Sequence, residues 1–291
     1  MLPTTAIFRM LETEIIYIIL PVFNRWHFTE ACLLSLEAQT DTNYKVVVVD
    51  DGSTDGTLQS IARNYTACKL LQTRGDVFWT ETVNVGIAWA LADGATWVMT
   101  LNNDTLCPPT FLANMRRLAR REILTGAVAI EKDTEVVTYG GELHNWWTNT
   151  NTNLLDILPA RAQNGLQEVS HFPGRGLLIH KDVFAKVGLF DARNFPHYYA
   201  DYDFTVMSKR AGFRVFANYD ARLITYPEAS GDKALRKKKS WDNYKSHLFG
   251  IRGGGNLVNF TRFALKNCPW YALPSHLALG YARRLLGYWA K

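Results

Sequence analysis

Residues Tyr44–Gly56 read Y-K-V-V-V-V-D-D-G-S-T-D-G, and the fold turns on that stretch. Val46 to Val49 is an unbroken β-branched run, the pattern of a strand buried on both faces. Three carboxylates and two glycines follow at once, and Thr57 to Tyr65 then suits a helix. Upstream, Glu14–Phe23 (E-I-I-Y-I-I-L-P-V-F) is a second apolar strand that leaves into a loop at Pro21 and Asn24-Arg25. Thr29 can cap the helix between these two strands. Downstream, Cys68–Gln72 is a third strand, T-R-G-D-V-F-W-T-E-T a loop, and Val83–Leu91 a helix. Strand and helix alternating at this spacing predict right-handed βαβ units around a parallel sheet.

A fourth strand ends in the same manner. Thr96–Thr105, T-W-V-M-T-L-N-N-D-T, runs from a short apolar segment into two amides and a carboxylate. Open α/β sheets bind ligands at such strand ends. A carboxylate there without His or Cys suits a hard divalent cation, Mg²⁺ or Mn²⁺, shared with phosphate oxygens. An Asn-rich turn would read the same way in isolation. Beyond it, a helix at Phe111–Arg121, strands at Gly126–Glu131 and Val136–Tyr139, and a long polar loop over 142–170 are expected. Helices at Lys181–Val187 and Tyr202–Ala211 and a strand at Phe213–Ala217 complete the body.

The bulk properties fit an ordinary globular chain: 291 residues, 47% hydrophobic and 20% charged. No apolar run approaches the ~20 residues needed to cross a bilayer, and the N-terminus carries no secretory pattern. Cys32, Cys68, Cys107 and Cys268 are scattered without a C-x-x-C, as expected of buried thiols in a reducing, cytoplasmic setting. The net charge of +5 is unevenly spread. Residues 233–291 hold twelve Lys/Arg and one acid, whereas the preceding 232 hold twenty Lys/Arg and twenty-six acids.

The loop Asp50–Gly56 could cradle phosphate on backbone N–H groups, but its carboxylates repel phosphate unless a cation intervenes. There is no Lys after its last glycine, as a P-loop requires, and no G-x-G-x-x-G fingerprint. The carboxylates suit hydrogen bonds from a base or from ribose hydroxyls, or else an N-cap and Asx turn.

Four segments in order now coincide: P-V-F-N after the first strand, V-V-V-V-D-D-G-S-T-D-G after the second, L-N-N-D-T after the fourth, and A-D-Y-D-F before a helix. Together they resemble the family 2 glycosyltransferases from about Ile15 to Pro227. The resemblance implies an α/β GT-A fold, with a Rossmann-like, mostly parallel central sheet flanked by helices. It also implies inverting, metal-dependent transfer of a sugar from a nucleoside diphosphate to a hydroxyl. The expected layout is a glycosyltransferase domain over 1–232, its nucleotide-binding half at about 14–110 and its acceptor half at 111–232. A basic, aromatic-rich helical extension over 233–291 would follow.

Carried over by position, the resemblance places Pro21, Phe23, Asn24 and Arg25 at the nucleotide. Asp51 would bind base or ribose, Asp50 and Ser53 would support its loop, and Arg74 and Asn103 would add contacts. Asp104 would ligate Mg²⁺ or Mn²⁺; an amide stands where many members have the first Asp of D-x-D. Asp201 matches the catalytic base, with Ala200 where many members have Glu. Asp203 falls on the sugar or acceptor side and reads more as a helix-start or structural carboxylate than as a second base. Trp79, Glu81, Asn84, Arg175 and Gly176 complete the expected sugar and acceptor contacts. The His that members often carry after the following strand is replaced by Thr225 or Tyr226. His197 or the run Arg236–Lys239 could substitute electrostatically.

The W-T-E-T-V-N-V-G-I stretch looks like members acting on rhamnose-containing glycans, implying a dTDP-rhamnose donor, otherwise a UDP-hexose. The acceptor would be a cell-surface glycan such as O-antigen or a lipid-linked oligosaccharide. The tail interleaves basic and aromatic residues, as in segments that lie on anionic membranes. Nucleic acid is not expected, because the body is acidic and no module for it is present. A silent nucleotide-sugar-binding protein and a sugar-phosphate nucleotidylyltransferase remain as alternatives, although the second would need a basic Gly-rich loop that P-V-F-N-R-W does not supply.

Overall fold

The computed structural model describes residues 11–134, 136–226 and 239–289. In chain order the first half comprises β1 (Ile16–Val22), α1 (Trp26–Glu37), β2 (Tyr44–Asp50), α2 (Thr57–Asn64), β3 (Lys69–Gln72), α3 (Phe78–Ala92), β4 (Trp97–Thr100), β5 (Thr105–Leu106) and α4 (Phe111–Leu118). It continues with β6 (Ile123–Glu131), β7 (Val137–Tyr139), β8 (Glu142–Asn145), β9 (Thr150–Asn153), α5 (Leu154–Ile157), β10 (Leu166–Glu168), β11 (Leu177–His180) and α6 (Lys181–Val187). The last elements are α7 (Ala200–Arg210), β12 (Arg214–Thr225), α8 (Trp241–Phe249), α9 (Leu257–Asn267) and α10 (Leu273–Gly287).

The main sheet has the order β10-β12-β6-β11-β4-β1-β2-β3. Its β4-β1-β2-β3 half is parallel throughout, as βαβ connections require. β11 enters antiparallel between β4 and β6, so the sheet as a whole is mixed. Every β1 side chain is buried, and period-two alternation splits them between two cores. Tyr17 and Ile19 face the layer that holds α3, α6 and α7, while Ile16, Ile18, Leu20 and Val22 face α1 and α4. Phe263 of α9 belongs to the first of these cores, so part of the C-terminal segment packs into the body.

Three local expectations differ from the structure. α1 starts at Trp26, and Thr29 lies buried inside it rather than capping it; its Oγ1 accepts a hydrogen bond from Asn103 Nδ2 at 2.9 Å. α3 starts at Phe78, five residues before the expected Val83. The 142–170 stretch is not one loop: β8 and β9 pair as a hairpin, and β10 joins the sheet edge against β12. The polar repeat T-N-T-N carries no alternating apolar signal, which is why its strand is silent in the sequence.

Candidate active site

The carboxyl ends of β1, β2 and β4 open onto one cleft of about 710 Å³. This is the crevice where the strand order reverses around β1. The loops after β1 and β2 tie each other down. Asn24 N donates to Ser53 Oγ at 2.7 Å, and Thr54 N donates to Asn24 Oδ1 at 2.8 Å. Asn24 and Arg25 both adopt positive φ, 56° and 61°, a strained turn that Asn tolerates better than Arg. It delivers Phe23 and Arg25 to the cleft wall.

Asp51 organises the next layer. Its carboxylate accepts Thr73 Oγ1 at 2.5 Å, Gly75 N at 3.2 Å and Phe78 N at 3.1 Å. These bonds satisfy orphan donors before and at the first turn of α3, and they explain the early start of that helix. Trp79 follows on the cleft side, its indole donating to Asn102 Oδ1 at 3.0 Å. The ring lies so close to Gly174 that a Cβ there would sit 2.5 Å from it, so Gly174 is needed for this contact.

Asn103 and Asp104 line the same cleft. Burial raises the Asp104 carboxyl above its ordinary range, opposed by Arg25, whose Nη1 stands 3.8 Å away. Asp201 sits in the first turn of α7 and lines the same cleft. Its two oxygens accept Gly174 N and Tyr202 N, each at 2.9 Å. Burial again dominates and raises its pKa, against those hydrogen bonds and the nearby Arg175. Tyr199, the residue before α7, holds φ at 75°. Strain of this kind concentrates at functional sites.

Of the residues expected at the site, Pro21, Phe23, Arg25, Asp51, Trp79, Asn103, Asp104, Arg175 and Asp201 line the cleft together. Asn24, Asp50 and Ser53 do not line it; Asn24 and Ser53 cross-link the loops, and Asp50 accepts Ser53 N at 3.0 Å. Arg74 points to solvent and pairs with Asp76 at 2.7 Å. Glu81 is exposed, and Asn84 is buried against the backbone of Phe190, so neither lines the cleft. Gly176 is a joint of the sheet, its N donating to Thr100 O at 2.7 Å. Asp203 is only 2% exposed and turns away from the cleft toward Lys266 and Asn267.

Sequence reasoning missed the far wall. His144, Asn149 and Asn151 of the hairpin, Tyr199 and Tyr202 at α7, and Phe260, His276 and Arg284 of the C-terminal helices all face the cleft. Arg252 also reaches it, stacking its guanidinium 5.5 Å from the Phe23 ring. His197 lines it as well, pushed down to about 4 by burial and then by Arg252. Residues 236–238 of the expected basic run lie outside the described residues, while Lys239 donates to Tyr288 O, away from the cleft. Thr225 and Tyr226 border the donor side.

A cation would find Asp104 as its carboxylate here. Asn102 Oδ1 already accepts from the Trp79 indole, whereas Asn103 bonds Thr29 through its Nδ2. Among the described residues no group of three or more His, Cys, Asp or Glu side chains could hold a metal ion. That donor set fits a divalent ion arriving with a diphosphate, since Mg²⁺ commonly keeps its waters and uses one or two carboxylates plus phosphate oxygens. It does not fit a tightly caged ion.

The fold and cleft define a glycosyltransferase of GT-A type. Solved structures of similar fold include GalNAc-T7 with UDP, GalNAc and Mn²⁺, at TM-score 0.61 and 12% identity, covering 95% of this chain and 57% of that one. Another is S. aureus TarS 1-349, at TM-score 0.52 and 15% identity, covering 93% of this chain and 81% of that one. The model of glycosyl transferase family 2 matches residues 17–188, and the chain belongs to that family. Among curated relatives, the N-acetylglucosaminyl-diphospho-decaprenol L-rhamnosyltransferase of Mycobacterium tuberculosis is 25% identical over 229 residues, which is 69% of this chain and 72% of the relative.

Proposed function

We propose that this glycosyltransferase moves a sugar, with inversion, from a nucleoside-diphosphate donor to a hydroxyl of a lipid-linked or growing surface glycan. The observation that carries the reading is that Asp104 and Asp201, from different elements, line one cleft and are both raised in pKa by burial. Inversion needs a base on the sugar face opposite the leaving diphosphate. Asp201 is the candidate: it is held by two backbone N–H groups in a fixed orientation, and burial makes it a stronger base than an exposed aspartate. The acceptor hydroxyl gives its proton to Asp201 as its oxygen bonds to the anomeric carbon and the diphosphate departs.

Asp104 would hold a Mg²⁺ or Mn²⁺ ion that offsets charge on the leaving diphosphate as a Lewis acid. Arg25 and Arg252 add fixed positive charge on the same side, where the family's His is absent. Phe23 and the Asn24–Ser53 loop pair frame the nucleotide. A rhamnose donor, dTDP-rhamnose, is favoured over a UDP-hexose because the mycobacterial relative is an L-rhamnosyltransferase.

An anionic membrane surface is the proposed platform. No helix among the described residues is long and apolar enough to cross a membrane. The C-terminal segment instead exposes Trp241, Phe249, Leu265, Trp270, Leu286 and Trp289, with Trp270 84% exposed. Such residues beside Lys and Arg suit the headgroup region.

Thermal-shift titration with dTDP-, UDP- and GDP-sugars tests the donor reading. One base should stabilise the wild type in Mn²⁺ far more than in EDTA, and Asp104→Ala should lose that metal-dependent gain while keeping its own melting temperature. Equal shifts in the variant and the wild type would remove Asp104 from the donor site.

A further inference from the structure

The far wall of the cleft carries polar atoms that the transfer chemistry does not use. His144 Nε2, Asn149 Nδ2, His171 Nδ1 and Arg284 Nε are all buried and have no hydrogen-bond partner, and their residues all line the cleft. Buried polar atoms without partners are costly, and several converging on one space indicate a polar ligand.

Arg284 supplies the charge there. Its Nη1 donates to Gly280 O at 3.0 Å and its Nη2 to Tyr199 Oη at 2.5 Å. Its guanidinium lies 3.6 Å from the centre of the Phe260 ring. Among the described residues no carboxylate lies within ion-pair distance of it, whereas Arg175 shares its surroundings with Asp201 and Glu142. The imidazoles alongside are neutral: burial pushes His171 down to about 3 and His276 to about 4, and lowers His144 as well. The group is rigid. Gly280 packs so closely on Phe260 and Asn149 that a Cβ would sit 2.1 Å and 2.4 Å from them, and His276 Nδ1 lies 3.0 Å from Trp146 O. Phe260 and His276, each 1% exposed, stack with centroids 5.6 Å apart and back the guanidinium from below.

We propose that Arg284 anchors the phosphate of a glycosyl-phosphate acceptor, whose sugar lies beside His144 and Asn149 with its hydroxyl toward Asp201. A partly buried guanidinium lacking an anion gains most from one, and its planar fork matches phosphate. The neutral imidazole nitrogens can then bond sugar hydroxyls without repelling the acceptor. The C-terminal helix thereby becomes part of the acceptor site. The inference rests on the transferase reading above and names its acceptor class.

Calorimetric binding in EDTA, which disables the metal-dependent donor site, tests it with N-acetylglucosamine 1-phosphate and N-acetylglucosamine as probes. The wild type should bind the phosphate at least about tenfold more tightly than the plain sugar, a difference of about 1.4 kcal/mol. Arg284→Gln should lose that preference, Arg284→Lys should keep part of it, and Asp104→Asn should keep all of it. A wild type that binds both probes alike, or a preference lost in Asp104→Asn but kept in Arg284→Gln, overturns the assignment. Arg284→Lys retains the charge and serves as the folded variant if the Gln form is unstable. A polyprenyl diphosphate carrying the same sugar, presented in detergent, separates the sources. Tighter binding than the soluble phosphate assigns the anchor to a lipid-linked acceptor, and equal binding assigns it to a soluble sugar phosphate. Donor turnover by the wild type is scored separately, so the anchor can fail while the transferase reading stands.

Discussion

Asp203→Ala separates a structural carboxylate from an acceptor ligand. The Asp203 carboxylate accepts Lys266 Nζ at 2.8 Å and Asn267 Nδ2 at 2.7 Å, and its side chain is 3% exposed. Removing one partner of such a buried pair costs about 3–5 kcal/mol when the other charge is left stranded. Here Lys266 also bonds Asp191 at 2.8 Å and is about a third exposed, so its charge stays paired and partly hydrated. The loss should therefore fall near about 2–3 kcal/mol, mostly from the unsatisfied Asn267 amide and the lost charge-assisted bond. At about 2–4 °C per kcal/mol for a chain of this size, the melting temperature should drop by about 4–12 °C. Scanning calorimetry at neutral pH reads this directly, and binding of the acceptor probes at 15 °C, below the transition, should be unchanged. An unaltered melting temperature together with lost acceptor binding would refute the reasoning and return Asp203 to the cleft.

Three further outcomes follow from the same structure. Burial raises the Asp201 pKa, so the kcat profile should fall on its acid side at a higher pH than an ordinary aspartate would set. For stability, the raised folded pKa means that the contribution of Asp201 is full below the unfolded-chain value and lost as pH rises through the folded one. Asp201→Asn should thus be at least as stable as wild type at neutral pH by thermal unfolding, and a clear destabilisation there would contradict the burial argument. On vesicles, wild type should co-sediment with phosphatidylglycerol more than with phosphatidylcholine, and the double change Trp241→Ala, Trp270→Ala should weaken this by about tenfold; no preference between the two lipids would remove the membrane platform.

The sequence is most legible where function depends on a strand end. Asp51, Asp104 and Asp201 each follow or open a regular element, so the apolar run before or the helical run after locates them. Arg284 and His276 are illegible for the opposite reason. They belong to a segment whose composition reads as a basic, aromatic tail, and only folding brings them beside Tyr199 and Trp146, 85 and 130 residues away in the chain. The hairpin that carries His144 is equally hidden, since T-N-T-N has neither apolar alternation nor helical spacing. Asp51 shows a third case. Its place at the cleft is legible, yet its carboxylate is occupied by the loop before α3, a role only the tertiary contact reveals. Trp79 is legible as a cleft aromatic, while the helix turn that presents it depends on that same contact.

The central claim is that Asp201 takes the acceptor proton in a cleft that also binds a nucleoside-diphosphate sugar through Asp104. Donor consumption with acceptor and Mn²⁺, measured for wild type and Asp201→Asn under saturating donor, tests it most directly. The account predicts that the variant still binds the nucleotide sugar but loses turnover by about 10²–10⁴-fold. Turnover in Asp201→Asn equal to wild type would contradict it.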